Sequence, residues 1–271
     1  MFKSVILLLA LTLITSNCFA DLVFSAPPRE NEAKGKALYG PLTDFLSKVI
    51  GEKVVYVHPR GWMDYSKQMR SGAYDIVFDG PHFSAWRIKH LHYVPVVRLP
   101  GTLDFVVITR KDNEQMVDHK SISRSSLCGL ASPNLGTVSV LSEFENDIIS
   151  PKVVEVKGGF KKVYQAFKDG KCDAAVLRDN VWNKVVPQQD KEQLRVLYKI
   201  APMPNQTITV NSRISTTLRD VMTKSLLSKS GVEASENLLQ RFSKNSKRFV
   251  KCKSGEYKGL AQLLEGVVFG W

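Results

Sequence analysis

The sequence lacks the short motifs that mark the common enzyme classes. It contains no nucleophile elbow and no phosphate-binding Walker loop. His82, His90 and His92 do not have the spacing of a metal-ligand set, because they are spread over a predicted helix and the strand after it. We therefore expect no catalytic residues, no metal and no cofactor, and we predict that the chain is not an enzyme.

Long apolar runs are also missing after residue 20. Within residues 1–20, Lys3 precedes an apolar run over 5–14, and Cys18-Phe19-Ala20 places small residues before a cleavage point. This pattern predicts a secretory signal peptide, with an uncleaved anchor as the alternative. No later stretch reaches the roughly 18 apolar residues that a membrane-spanning helix needs. We expect a periplasmic protein that is soluble after cleavage near Ala20.

Dense basic patches are few, although the formal net charge is +12. The lysines are scattered, and the basic stretch 243–253 does not alternate its charges with aromatic residues. This distribution favours a solvated surface over a nucleic-acid site. We expect a monomer without a nucleic-acid partner, whose positive charge attracts small anions to a cleft.

Short apolar runs alternate with helical patterns along the chain. Predicted strands at 22–26, 53–57 and 74–78 are each followed by a helical segment. Two further predicted strands follow and end at Thr109. The alternation of strands and helices then restarts, with strands predicted at 127–131, 152–156, 173–177 and 194–200. This order predicts parallel sheets with right-handed crossovers.

The restart predicts a two-lobed α/β protein in which each lobe is a mostly parallel sheet flanked by helices. Lobe 1 would comprise 21–108 and the mostly helical return over 205–271, and lobe 2 would comprise 109–204. Two crossings, at 106–110 and 201–205, would form the hinge. A single sheet of six or seven strands is the alternative.

Six loops that follow predicted strands would meet between the lobes, because ligands of open α/β sheets bind beyond the carboxyl ends of the strands. These loops cover 28–29, 60–62, 80–82, 134–137, 158–160 and 178–180. Two lobes that face each other can enclose a small ligand and trap it by hinge closure.

Cysteine is scarce, and only Cys128, Cys172 and Cys252 remain after the expected cleavage. An odd number in an exported chain suggests one disulfide and one free thiol. In a lobe with strand order 2-1-3, the first and third strands are neighbours, which places Cys128 beside Cys172. We predict a disulfide between them. The alternatives are a Cys172–Cys252 bond and three free thiols.

Several stretches resemble the phosphate-, phosphite- and phosphonate-binding proteins of ABC transporters, the PhnD-like family with the type 2 periplasmic-binding-protein fold. They are Tyr39-Gly40-Pro41-Leu42, Gly72-Ala73-Tyr74-Asp75, Gly80-Pro81, 170–175, Met203-Pro204 and Tyr257-Lys258-Gly259-Leu260. The resemblance implies capture of a small anionic or zwitterionic ligand by hinge closure, and delivery to an inner-membrane ABC permease. The alternative is a ligand sensor that docks on a sensor kinase or chemoreceptor.

The chain departs from the family pattern at the expected ligand site. Ser84 stands where the family usually has Tyr, Phe160 replaces a usual His, and Trp62 takes the place of a tyrosine. These residues predict a more aromatic pocket than a bare oxyanion needs, in which arginines clamp the anion. The candidate ligand-binding residues are Arg29, Arg60, Trp62, Gly80, Pro81, His82, Ser84, Asn134, Gly136, Thr137, Phe160, Arg178 and Asp179.

Overall fold

The computed structural model describes residues 21–146, 148–243 and 247–265. The signal peptide expected over 1–20 lies outside these residues. Within the described ranges, no helix combines the length and the apolar character needed to cross a bilayer.

The first described elements alternate strands and helices up to a fourth strand. Helix α1 begins after Asn31, whose side chain accepts a hydrogen bond from the Lys34 backbone N–H, and it ends at Gly51 with φ of 78°. Leu38 and Leu42 lie one helical turn apart on its buried face. The order is β1 (Leu22–Ser25), α1 (Glu32–Ile50), β2 (Val54–Tyr56), α2 (Trp62–Arg70), β3 (Ile76–Asp79), α3 (Pro81–Leu91) and β4 (Val94–Arg98).

The middle of the chain repeats this alternation. Its elements are β5 (Thr102–Arg110), the 3₁₀ turn Lys120–Ile122, β6 (Ser126–Gly129), α4 (Leu135–Leu141), β7 (Lys152–Glu155), α5 (Phe160–Lys168), β8 (Ala174–Arg178), α6 (Asp179–Lys184), α7 (Gln188–Glu192) and β9 (Leu194–Pro204).

The last part is helical, as expected, except for two strands. Its elements are β10 (Thr207–Val210), α8 (Thr216–Leu227), α9 (Lys229–Ala234), α10 (Glu236–Phe242), β11 (Val250–Lys251) and the 3₁₀ helix Leu260–Leu264. Strand β10 was not predicted, because Thr207 and Thr209 interrupt the apolar run by which the other short strands were found, although all four of its residues are buried. Its neighbours β3 and β4 supply its hydrogen bonds on both sides.

The strands form two sheets, with orders β11-β4-β10-β3-β1-β2 and β7-β6-β8-β5-β9. The first βαβαβ unit of each sheet pairs in the order 2-1-3, since β1 lies between β2 and β3 and β6 lies between β7 and β8. Buried apolar clusters cover both faces of each sheet. The predicted two-lobed α/β architecture is confirmed: lobe 1 contains the six-stranded sheet and lobe 2 the five-stranded sheet. The sheets are mixed and not mostly parallel as expected, because β10 pairs antiparallel with β3 and β4, β11 with β4, and β5 with β8 and β9.

The chain passes between the lobes at two crossings. Strand β5 lies wholly in the second sheet, so the first crossing falls at 99–101 instead of the expected 106–110. The expectation failed because β5 is buried from Phe105 to Thr109, and its apolar pattern does not indicate which of the two sheets it joins. The second crossing follows Pro204, and the Asn205 side-chain amide donates to the Pro100 carbonyl at 2.9 Å. Tyr257 donates its hydroxyl to the Asn205 carbonyl at 3.0 Å.

The predicted disulfide between Cys128 and Cys172 is confirmed. Their Cα atoms lie 5.7 Å apart, and the bond closes a loop with a sequence separation of 44. Cys128 lies in β6, and Cys172 precedes the parallel neighbour β8. Cys252 is a free thiol, 3.3 Å from the Thr207 hydroxyl.

Candidate functional site

A cavity of about 530 Å³ lies between the lobes, where the carboxyl ends of their strands meet. We call it the cleft cavity. Its lining comprises Pro28, Arg29, Trp62, Gly80, Pro81, His82, Phe83 and Gln206, together with Leu103, Phe105, 130–135, 158–160 and Arg178. A larger cavity of about 720 Å³ behind α3 contains none of the predicted site residues. The cleft cavity is therefore the candidate site.

The cleft cavity brings together residues from all six predicted loops. The predicted residues that line it are Arg29, Trp62, Gly80, Pro81, His82, Asn134, Phe160 and Arg178. The predicted residues outside its lining are Arg60, Ser84, Gly136, Thr137 and Asp179.

Two of the residues outside the cavity bond to their own helices. The Arg60 side chain is 88% exposed and pairs with Asp64 at 3.4 Å. Asp179 accepts a hydrogen bond from the Asn183 amide at 2.5 Å. Both residues lie at the start of a helix, where a polar side chain can pair with a residue one helical turn later. Each side chain is thereby directed away from the cavity.

The other three support the cavity from behind. Thr137 is buried and donates its hydroxyl to the Leu130 carbonyl at 2.6 Å, which holds the loop that follows β6. Gly136 packs against Phe105, so closely that an added Cβ would lie 2.8 Å from the ring. Ser84 is fully buried one turn into α3. Their sequence positions placed them near the site, but the side chains of Thr137 and Ser84 are buried in the protein and Gly136 contributes only backbone.

Two arginines line the cavity from opposite lobes. Arg29 donates through Nη2 to Asp79 at 3.4 Å, and its buried Nη1 has no hydrogen-bond partner among the described residues. The buried Nε of Arg178 likewise has none in that part of the chain, and its guanidinium lies 5.2 Å from the Phe105 ring centroid. Burial lowers the pKa of Arg178, but a guanidinium stays charged in any folded protein. Two positively charged side chains that each keep an unpaired donor therefore belong to the lining of the cavity.

Acidic side chains are absent from the described lining of the cavity. The nearest carboxylate network lies beneath it, at the end of β3. Within the described ranges, no three His, Cys, Asp or Glu side chains are grouped so that they could hold a metal ion. The lining is therefore cationic, and its donors suit an oxyanion.

The network beneath the cavity centres on Asp79, which is fully buried. Asp79 accepts hydrogen bonds from the Gly80 backbone N–H at 2.6 Å, from Arg87 at 3.1 Å and from the Tyr65 hydroxyl. Arg87 is also fully buried, and burial raises the pKa of Tyr65 well above its usual value. Asp79 therefore links the turn that begins α3 to the cavity arginine Arg29. Sequence reasoning missed Arg87 and Tyr65, because helical periodicity alone does not distinguish a buried arginine from an exposed one.

Aromatic rings form much of the remaining wall. In lobe 1, Trp62 is 43% exposed and stacks on Phe83, with centroids 6.1 Å apart and planes inclined by 21°. In lobe 2, Phe105 and Phe160 lie 5.9 Å apart. Sequence reasoning found Trp62 and Phe160 but missed the other two rings, which lie inside regular elements.

His82 connects the two lobes directly. Its Nε2 lies 2.9 Å from the Pro133 carbonyl, and only an N–H can make this bond. Burial is the main cause that lowers the pKa of His82 from 6.5 to about 3. The ring is therefore neutral at physiological pH and carries its proton on Nε2.

We expect the stability of the protein to fall on mild acidification because of His82. In the unfolded chain His82 binds a proton below about pH 6.5, whereas in the folded protein it does so only near pH 3. The folded state is therefore less stable relative to the unfolded state as the pH falls below 6.5. This linkage alone lowers the free energy of unfolding by roughly 2 kcal/mol at pH 5. Urea unfolding at pH 7.5 and pH 5.0 tests it, with His82→Gln as the comparison. An equal loss in both proteins would contradict the assignment.

Solved structures with the same fold include several two-lobed proteins. XAC2383 from Xanthomonas citri bound to ATP has 15% sequence identity and a TM-score of 0.67, with 89% of this chain and 94% of that chain covered. PhnD1 from Prochlorococcus marinus (MIT 9301) in complex with methylphosphonate has 16% identity and a TM-score of 0.60, with 90% and 96% covered. A binding protein component of an ABC phosphonate transporter (PA3383) from Pseudomonas aeruginosa has 13% identity and a TM-score of 0.55, with 89% and 84% covered. No curated protein matched the sequence.

Two lobes, two crossings and a ligand-sized cavity between them define the class of two-lobed solute-binding proteins. Residues 24–257 match the family described as "ABC transporter, phosphonate, periplasmic substrate-binding protein". The chain belongs to this family. Its members are substrate-binding proteins of transport systems, and the resemblance expected from the sequence motifs is confirmed.

Proposed function

We propose that this protein captures a phosphonate, or a closely related phosphorus oxyanion, in the cleft cavity. The observation that carries the proposal is the pair Arg29 and Arg178, which border the cavity from different lobes with unused donors. Charge-assisted hydrogen bonds from guanidinium groups suit the oxygens of a phosphonate. Two similar structures hold phosphorus oxyanions, methylphosphonate in PhnD1 and ATP in XAC2383.

The backbone at the start of α3 supports the same ligand class. Gly80 is the N-cap and Pro81 the first helical residue, so the N–H group of His82 has no acceptor within the helix. Donors of this kind favour anions at helix N-termini. Gly80, Pro81, His82 and Asn134 therefore belong to the proposed site with the two arginines and the aromatic wall.

Ligand capture is proposed to proceed by hinge closure without chemistry. An anion that bonds to Arg29 and Arg178 together bonds to both lobes, so it binds the closed form more tightly than the open form. The hydrogen bond from His82 to Pro133 adds a protein contact that exists only when the lobes are close. Closure would then present one rigid surface to an inner-membrane ABC permease, which we propose as the partner. We propose that the exported protein meets this permease from the periplasm.

Calorimetric titration with methylphosphonate tests the proposal, with the uncharged ester dimethyl methylphosphonate as the matched control. We expect saturable binding of the anion only, and a gain in stability of about 2.7 kcal/mol when the ligand is at a hundred times its dissociation constant. The ³¹P spectrum of the ligand should be unchanged after incubation. Equal binding of the neutral ester, or no binding of methylphosphonate, would contradict the proposal.

A further inference from the structure

We infer that the ligand for which this site is built is a phosphonate that carries a flat aromatic group. The inference rests on the proposed function and concerns the part of the ligand that the arginines do not hold. It follows from the volume of the cleft cavity, from the positions of its rings and from the scarcity of other polar side chains in its lining.

The volume of the cleft cavity exceeds what a bare oxyanion needs. Its 530 Å³ falls within the roughly 300–1,000 Å³ of pockets that enclose drug-sized ligands. Methylphosphonate offers only one methyl group beyond its charged head. A ligand that fills this space therefore carries a larger substituent.

The substituent would meet aromatic rings from both lobes. Trp62 and Phe83 stack in lobe 1, and Phe105 and Phe160 contact each other in lobe 2. All four side chains belong to the lining of the cavity. Flat rings favour offset stacking or edge-to-face contact with other rings, so this lining selects a planar apolar group.

Trp62 supplies a large apolar surface that the fold does not cover. Its ring packs against Phe83 and meets the edge of Tyr65, yet 43% of the residue stays exposed. Large apolar surface left open inside a concave site is typical of ligand contact. Besides the two arginines, His82 and the indole N–H of Trp62 itself, the described lining has few polar side chains, namely Ser132, Asn134 and Gln206.

The position of Arg178 brings the charged head of the ligand next to the rings. Its guanidinium carbon is 5.2 Å from the Phe105 centroid, and the Phe160 centroid is 5.9 Å from that of Phe105. An oxyanion held by Arg178 therefore places a group bonded to its phosphorus beside the lobe 2 pair. A ring attached directly to phosphorus would then lie near Phe105 and Phe160, and rings in contact lie about 4.5–7 Å apart.

Titrations with phenylphosphonate and methylphosphonate test the inference. We expect phenylphosphonate to bind roughly tenfold more tightly than methylphosphonate to the unmodified protein. Trp62→Ala should lower the ratio of the two affinities so that most of this preference is lost, and Trp62→Phe should retain most of it. Trp62 is the first residue of α2 and is half exposed, so these variants should fold.

Trp182→Ala is the matched control, because Trp182 lies on α6 outside the cavity lining and packs against Lys191. It should change neither affinity. Equal or weaker binding of phenylphosphonate to the unmodified protein would overturn the inference and leave the proposed function standing. Parallel loss of both ligands in Trp62→Ala would also overturn it. If neither phosphonate binds, the proposed function fails, and this inference fails with it.

Discussion

Arg178→Met should weaken the binding of methylphosphonate about a thousandfold. Truncating one partner of a desolvated charge pair costs about 2–5 kcal/mol, and each 1.4 kcal/mol is a factor of ten in affinity. Arg178 is the cationic side chain that lobe 2 contributes to the described lining, so its loss also removes the ligand's link between the lobes. Methionine replaces the aliphatic part of the arginine side chain but lacks the guanidinium that contacts Phe105. Calorimetric titration measures the change.

Arg60→Met is the control, because it removes an equal charge from an exposed side chain outside the cavity. Its affinity should stay within about threefold of the unmodified protein, since exposed ion pairs contribute little. If Arg178→Met binds methylphosphonate as tightly as Arg60→Met, the anion does not bind between the lobes. Thermal unfolding of both variants confirms that the comparison is made between folded proteins.

Asp79→Asn should lower the free energy of unfolding by about 3–5 kcal/mol. The substitution leaves Arg87 fully buried without its anionic partner, and breaking a buried ion pair at one end has a cost of this size. The amide also places a donor where the Asp79 oxygens accept from Gly80 and Tyr65. Urea denaturation measures the effect.

The control for Asp79 is Asp44→Asn on the exposed face of α1, which should change stability by less than about 0.5 kcal/mol. The double variant Asp79→Asn with Arg87→Met removes both buried charges and should recover a large part of the loss. A single Asp79→Asn variant as stable as Asp44→Asn would mean that the network beneath the cavity does not stabilise the fold.

Most of the architecture could be predicted from the sequence because it depends on local patterns. The alternation of apolar runs and helical segments gave the two sheets, and the 2-1-3 order gave the disulfide. The positions at which the chain crosses from one sheet to the other were harder to locate. Strand β10 is stabilised by β3 and β4, which are distant in sequence, so its own four residues do not identify it.

The site could be predicted at the level of loops but not of every side chain. Turns such as Gly80-Pro81 mark where a strand ends, and this fixes which backbone segments border the cavity. Side-chain direction depends on partners from other elements, as for Thr137, whose hydroxyl is taken by the Leu130 carbonyl. The pairing of Arg87 with Asp79 likewise exists only after α3 packs on the sheet.

The 3₁₀ helix Leu260–Leu264 restricts how the lobes can move. Leu263 belongs to a core cluster of lobe 2, while Ala261 and Leu264 belong to one of lobe 1. The two crossings are bonded to each other through Asn205 and to this part of the chain through Tyr257. Sliding one lobe along the other would break all of these contacts, whereas rotation about a line through them keeps them. We therefore expect the lobes to open by rotation about this line, so that each closure returns the same two walls to the same relative orientation.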